Sequence, residues 1–232
     1  TTGVQNTLIG GLAGDALTDA DFNVAVGKGA LGADVRGSRS IAIGHSALAS
    51  QNFTTATDTY NTAVGFSAGN LISTGQYNTI LGGNAGDAIT DADYNVAMGY
   101  LALSADTLGS RSTAIGTVAL ASQNFTTATD SYNVAVGYQA GGSVTTGTHN
   151  TLLGGLSGDA LTSSSRNTAL GYGTLSADTL GSHSTAVGNL ALVNQNFTTA
   201  TDSYNTAVGS SAGQEITTGT QNTYIGGLAG DA

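Results

Sequence analysis

One short phrase, Asn or Ser followed by three mostly apolar residues and then Gly, recurs thirteen times along this chain. It begins at Asn6, Asn23, Ser40, Asn61, Asn78, Asn95, Ser112, Asn133, Asn150, Asn167, Ser184, Asn205 and Asn222. The intervals are 17 residues, with 21 after each Ser anchor, so three short units and one long unit sum to 72. That larger period is visible directly: "SQNFTTATDTYNTAVG" at 50 to 65 returns as "SQNFTTATDSYNVAVG" at 122 to 137 and as "NQNFTTATDSYNTAVG" at 194 to 209. Full cycles run from 61 to 132 and from 133 to 204. A fixed period of this length is the mark of a repeat architecture, and it takes precedence over any local reading.

Three rules hold across the units. Three residues after the anchor stands a branched or long apolar residue, as in Val26, Leu81 and Ile115. Four after it stands Gly without exception: Gly10, Gly27, Gly44, Gly65, Gly82, Gly99, Gly116, Gly137, Gly154, Gly171, Gly188, Gly209 and Gly226. Seven after it the residue is small, always Ala except at Ser157 and Thr174. Period-two alternation puts the first and third residues on one face of a short strand and the second and fourth on the other. The β-branched face suits a buried pleated surface, whereas the Ala/Gly face lets another backbone approach closely. The recurrent Gly is a positive-φ bend, a close-contact point, or both.

Helical repeats fail as a rival, because 17 residues are too few for two helices and the apolar spacing is two rather than 3.6. The expectation is an all-β chain forming a parallel β-solenoid over residues 1–232, in about thirteen coils, as one fibre segment. At about 4.8 Å per coil such a stack would be roughly 60 Å long. "TTGVQNTLIGGLAGDA" opens the chain and "TTGTQNTYIGGLAGDA" closes it, so the chain reads as a window of a longer fibre or a unit that joins end to end.

Composition narrows the function classes. The chain is 40% apolar but only 9% charged, which does not match the low hydrophobicity and high charge of disordered segments. Net charge is −10 with five Lys and Arg in total, so a nucleic-acid partner is excluded and an anionic membrane is disfavoured. No apolar run approaches the roughly 20 residues that span a bilayer, and no secretion signal opens the sequence. Cysteine is absent, which removes disulfide and thiol chemistry.

The segments "SIAIGHSALA" at 40 to 49 and "STAIGTVALA" at 112 to 121 resemble the head repeat of trimeric autotransporter adhesins, the YadA-type head. "NTAVGFSAGNLISTGQYNTILG" and "NVAVGYQAGGSVTTGTHNTLLG" resemble repeats in the long tail fibres of tailed bacteriophages. The resemblance runs through the coils from Asn6 to Asn222. It implies a left-handed parallel β-roll with three chains side by side, serving as an adhesive or spacing rod. A tight three-chain axis would want the Ala/Gly face. Two departures stand out: the coils are longer than the autotransporter unit, and in one coil type the second-position Ala becomes Leu8, Ile80, Leu152 or Tyr224.

Candidate sites are few. The four-residue insertion carries Asn-Phe-Thr at Asn52, Asn124 and Asn196, each an acceptor sequon for N-glycosylation, on a loop expected to protrude. The flanking "TTAT" is open to O-linked sugar, and an ordinary polar loop is the plain alternative. Asp15, Asp19 and Asp21, with Asp87, Asp91 and Asp93, could ligate Ca²⁺, yet the third copy keeps only Asp159, so turn-forming Asp is the better reading. His45, His149 and His183 read as surface substitutions. Tyr60, Tyr77, Tyr94, Tyr132 and Tyr204, with Phe22, just precede anchors and form either a stabilising surface ladder or a carbohydrate-binding strip. A Thr-rich ice-binding array is disfavoured by Val24, Ile41, Val96 and Val134 at the first strand position.

The resulting expectation is a structural and adhesive extracellular fibre segment, a rod or spacer of a tail fibre or surface adhesin. It is non-catalytic and uses no cofactor or metal. Its expected partners are other copies of itself, as a homotrimer or an end-to-end filament, and, where it adheres, a cell-surface glycan receptor. The alternative is a glycan-decorated filament whose solenoid scaffolds sugars on the Asn-Phe-Thr loops.

Overall fold

A computed structural model describes residues 2–231 and divides them into two compact units. One holds the residues up to Ser112 together with 124–129; the other holds 113–123 and the residues from Asp130 on. In the first unit six three-residue strands, Thr7–Ile9, Val24–Val26, Ile41–Ile43, Thr62–Val64, Thr79–Leu81 and Val96–Met98, lie parallel and side by side in chain order. In the second unit seven do the same: Thr113–Ile115, Val134–Val136, Thr151–Leu153, Thr168–Leu170, Thr185–Val187, Thr206–Val208 and Thr223–Ile225. Each strand follows the last by one repeat and pairs in register, Thr62 with Thr79 and Val64 with Leu81, so every 17 or 21 residues make one full coil. Both units are β-solenoids, as the period required, and among the described residues there is no helix.

The strands are short because residues of positive φ interrupt each coil at four positions. The Gly four after each anchor has φ between 120 and 143° throughout, a region closed to side chains with a Cβ. It is also a contact point: a Cβ on Gly82 would come within 2.6 Å of the Gly99 carbonyl oxygen, and one on Gly10 within 2.8 Å of that of Gly27. Both roles foreseen for this residue coexist, and neither leaves room for Ala. The residues six and eight after the anchor and the one just before it also have positive φ, even where they are Leu31 (54°), Leu48 (48°) or Tyr77 (58°). Such residues cost about 1–2 kcal/mol each in a left-handed conformation. For Leu31 and Leu48, fully buried, the roughly 1.5–3 kcal/mol of apolar burial offsets it. Backbone N–H groups are committed coil to coil, for example Gly69 to Ala85 and Leu71 to Asp87. A Pro would remove one of those donors, and the chain has none.

One expectation is reversed. The β-branched face of the strands points outward and the Ala face inward: Ala25, Ala42, Ala63, Ala97, Ala135 and Ala186 are fully buried, while Ile41 is 38% and Leu170 45% exposed. The narrow interior of a coil, not the approach of a second chain, is what demands Ala. Volume is balanced inside each coil. Where Leu occupies the eighth position, as in Leu31 and Leu48, the eleventh is polar (Asp34, Gln51); where Gly does (Gly69, Gly86), the eleventh is Ile72 or Ile89. The large second-position residues belong to this balance. A Cβ on Gly86 would lie 3.0 Å from both Ile80 Cδ1 and Ile89 Cδ1, and one on Gly158 2.9 Å from Leu152 Cδ2. Ile80 and Leu152 therefore fill a space that glycine leaves inside the coil.

Candidate functional site

The buried anchors are built before the insertion loop that depends on them. In a 17-residue coil the anchor Asn closes its own coil and joins the one before. Asn78 Nδ2 donates to Ala92 O (2.9 Å), and its backbone N–H donates to Asn61 Oδ1 (2.9 Å). Asn95 continues the ladder through Gly109 O and Asn78 Oδ1, and the second unit repeats it at Asn133, Asn150 and Asn167. Both polar atoms of the amide, Oδ1 and Nδ2, are engaged, as buried polar groups generally are.

Ser is too short to span the coil, so where it is the anchor another residue takes over. Gln51 Nε2 donates to Ser40 Oγ (2.8 Å) and to Asp34 Oδ2 (2.6 Å), and Gln51 Oε1 accepts from Asn61 Nδ2 (2.9 Å). Ser40 Oγ also bonds Thr59 Oγ1 at 2.5 Å. Asp34 Oδ1 accepts from the N–H groups of Gly37 and Phe53, both at 3.0 Å. The second unit repeats the constellation with Asp178, Ser184, Gln195, Ser203 and Asn205. Asp34, Gln51 and Ser40 are fully buried, and their complete pairing is what makes a buried polar cluster tolerable. Sequence reasoning missed this cluster; the signal was that Ser at the anchor, Gln eleven later and Asp six earlier always occur together.

The cluster sets the geometry of the sequons. The loop does not simply protrude: Phe53, Phe125 and Phe197 are only 5, 6 and 5% exposed. A Cβ on Gly109 would fall 2.7 Å from the Phe125 ring, so the glycine makes the ring's seat. Asn52 and Asn124 are exposed and Asn196 is half-buried. Thr107 Oγ1 donates to Asn124 Oδ1 and Thr179 Oγ1 to Asn196 Oδ1, each at 3.1 Å. At the corresponding place before Asn52 stands Val35, which has no hydroxyl.

The acidic run serves the coil stack. Asp91 Oδ1 accepts from the Ser73 and Thr74 hydroxyls at 2.6 and 2.8 Å, which hold its carboxyl below the ordinary range. Asp93 Oδ1 accepts from Gln76 N and Asp21 Oδ1 from Val4 N. Asp87 and Asp159 differ: each has a buried Oδ1 with no partner, and burial raises both carboxyls. Among the described residues no three His, Cys, Asp or Glu gather as a metal site would need.

The pre-anchor residues form the surface column expected of them. Tyr60, Tyr77 and Tyr94 stack with centroids 5.5 and 4.9 Å apart, and Arg39 lies 4.8 Å over Phe22. In the second unit two of the histidines, read as surface substitutions, take the same pre-anchor position. His149 packs on Tyr132 at 5.3 Å, and His183 stacks on Tyr204 at 5.0 Å while its Nδ1 meets Asp202 Oδ1 at 3.0 Å. His45 stacks on Phe66 in a separate column. Because the ring faces lie on one another, sugar rings have little free face to stack on, which favours the ladder over the carbohydrate strip.

A recess of about 400 Å³ opens at the first coil and is lined by Leu8, Leu17, Gln5, Asn6, Asp15 and Thr18 among others. No helix among the described residues is long and apolar enough to cross a membrane. Comparison of the chain with protein-family models, with curated proteins and with solved structures finds no match.

Proposed function

We propose that this chain is a structural segment of an extracellular fibre, a rod or spacer in a tail fibre or surface adhesin, and that it has no catalytic role. The observation that supports this most is the closure of each coil upon the next through the Asn ladder and the in-register strands. Such a unit extends by repetition, with no new kind of contact at each step. Negative-stain imaging of the purified chain at increasing repeat number tests it: particle length should grow in proportion to the number of coils, and a length that stays constant overturns the reading.

Self-association is part of the proposal, through a surface other than the one the sequence suggested. In each unit third-position strand residues face outward, Ile43 and Leu81 in the first and Leu170 and Val208 in the second, all more than a third exposed, and exposed apolar surface of this kind marks interaction sites. Homotrimer formation on this face predicts that sedimentation gives a species three times the 22.8 kDa chain mass. A 22.8 kDa species rules the trimer out. Adhesion to a cell-surface glycan, if the fibre performs it, falls to the loops, since the aromatic column is already stacked upon itself.

A second reading is favoured by the exposure of Asn52 and Asn124 beside buried phenylalanines. The solenoid would then scaffold sugars along one side, where repetition gives avidity to weak contacts. Glycopeptide mass spectrometry of native material decides it: bare "QNFTTATD" peptides end that reading.

A further inference from the structure

We infer that the three Asn-Phe-Thr sequons are acceptors only before their loops dock, so that coil closure is the switch that ends glycan transfer. The inference rests on the glycan-scaffold reading and adds its timing. The transfer has the asparagine Nδ2 displace the lipid pyrophosphate from the anomeric carbon of a lipid-pyrophosphate-linked oligosaccharide. The C–O bond to phosphate breaks with its electron pair leaving on the lipid pyrophosphate, the C–N bond forms, and one Nδ2 proton passes to solvent. A transferase must grip the Asn amide and the Thr hydroxyl together, which requires the three residues to leave the surface as a free turn.

In the folded chain the sequon is fastened at its middle. Phe53 N–H donates to Asp34 Oδ1 at 3.0 Å and Phe53 O accepts from Arg36 N–H at 2.9 Å, while Asn52 N–H donates to Ser73 O at 2.9 Å. The second unit holds Asn196 and Phe197 the same way, through Thr217 O, Asp178 Oδ1 and Leu180 N–H. Lifting the loop breaks these bonds, bares a buried ring and takes a donor from a buried carboxylate, and each of these is costly. The open loop is therefore a rare state in the closed coil.

The three sites are not equal. Phe125 O and Phe197 O also accept from the Thr107 and Thr179 hydroxyls at 2.8 Å, and the same hydroxyls bond Asn124 and Asn196. Val35 offers Asn52 neither bond. Residual acceptance in the folded chain should follow the order Asn52, Asn124, Asn196.

The full chain is offered to a single-subunit oligosaccharyltransferase of eukaryotic specificity with its lipid-linked donor, either folded or diluted from urea into the reaction. A free peptide of residues 50–58 serves as the open control. Peptide and unfolded chain should be modified at least tenfold faster than folded chain, and Val35→Thr, a near-isosteric change at a half-buried position, should lower folded-state transfer at Asn52 towards that at Asn124. Equal rates for folded and unfolded chain overturn the switch while leaving the sequons as acceptors. Failure of peptide and chain alike overturns the glycan reading and the switch with it. An unchanged rate at Asn52 in Val35→Thr, with Asn124 slower, overturns the ordering on which the loop-clamp account depends.

Discussion

The 17-residue coil and the 21-residue coil solve the same problem with different side chains. In the short coil one Asn reaches across the interior and also receives the next anchor's N–H, as Asn78 does with Ala92 O and Asn95 N. In the long coil Ser40 is withdrawn and Gln51, at the eleventh position just before the extra residues, supplies the missing reach while satisfying Asp34 and Asn61. The difference teaches that the insertion is not an ornament on a finished coil. The residue that closes that coil stands directly before the loop, and the phenylalanine that clamps the sequon is buried two residues further on.

The contrast can be broken most severely at the glutamine. Gln51→Ala leaves buried Asp34 short of one donor and Asn61 short of an acceptor, so a loss of about 3–5 kcal/mol is expected in denaturant unfolding. A loss below 1 kcal/mol would show that the long coil closes without it. Next comes the short coil: Asn150→Ala orphans Ser164 O and the N–H of Asn167, for about 2–4 kcal/mol. A smaller effect is expected from forcing one solution upon the other. Ser184→Asn puts an amide where Gln195 Nε2 already sits 2.8 Å from the hydroxyl, and overpacking of this kind costs about 1–3 kcal/mol. If this variant is as stable as the parent, the two closures are interchangeable.

The smallest effect has the opposite sign. Asp34, in the short coil that precedes a long one, has three donors, two of them from the long coil, whereas Asp87, which precedes another short coil, has a buried oxygen with none. Asp87→Asn should therefore raise stability at neutral pH by about 1 kcal/mol or less. The pH dependence follows from the direction of the shift. Burial raises the Asp87 carboxyl above its ordinary 3.8, so the native chain protonates first on acidification. Stability from this group grows as pH falls through the raised value and is complete below 3.8. Asp91, held low by Ser73 and Thr74, contributes above 3.8 and loses that contribution as pH falls through its lowered value. Unfolding curves of Asp87→Asn across pH 3 to 7 should lose the Asp87 share of the first component, keep the share of Asp159, which burial also raises, and keep the second.

Much of the coil was legible in the letters. Gly65 and Gly82 announced a position that excludes a Cβ, and Asn61 and Asn78 announced where each coil begins. Tyr60, Tyr77 and Tyr94 announced a ladder because in-register coils bring residues one repeat apart into contact. The Asn52 sequon was visible, but its clamp was not, since Asp34 and Arg36 lie 17 or more residues from the loop they hold.

From sequence alone, then, came the period, the parallel register and the solenoid, because stacking equal units is the one arrangement in which a fixed repeat places identical residues next to one another. Only the tertiary structure decided which strand face is inside. Alternation specifies two faces and is silent on their sense; that depends on the width of the closed coil, which admits Ala63 and turns Val64 outward. The same closure decided that Gln51, rather than Ser40, completes the long coil, because reach across an interior is a distance, and distance across a coil is absent from any one-dimensional spacing.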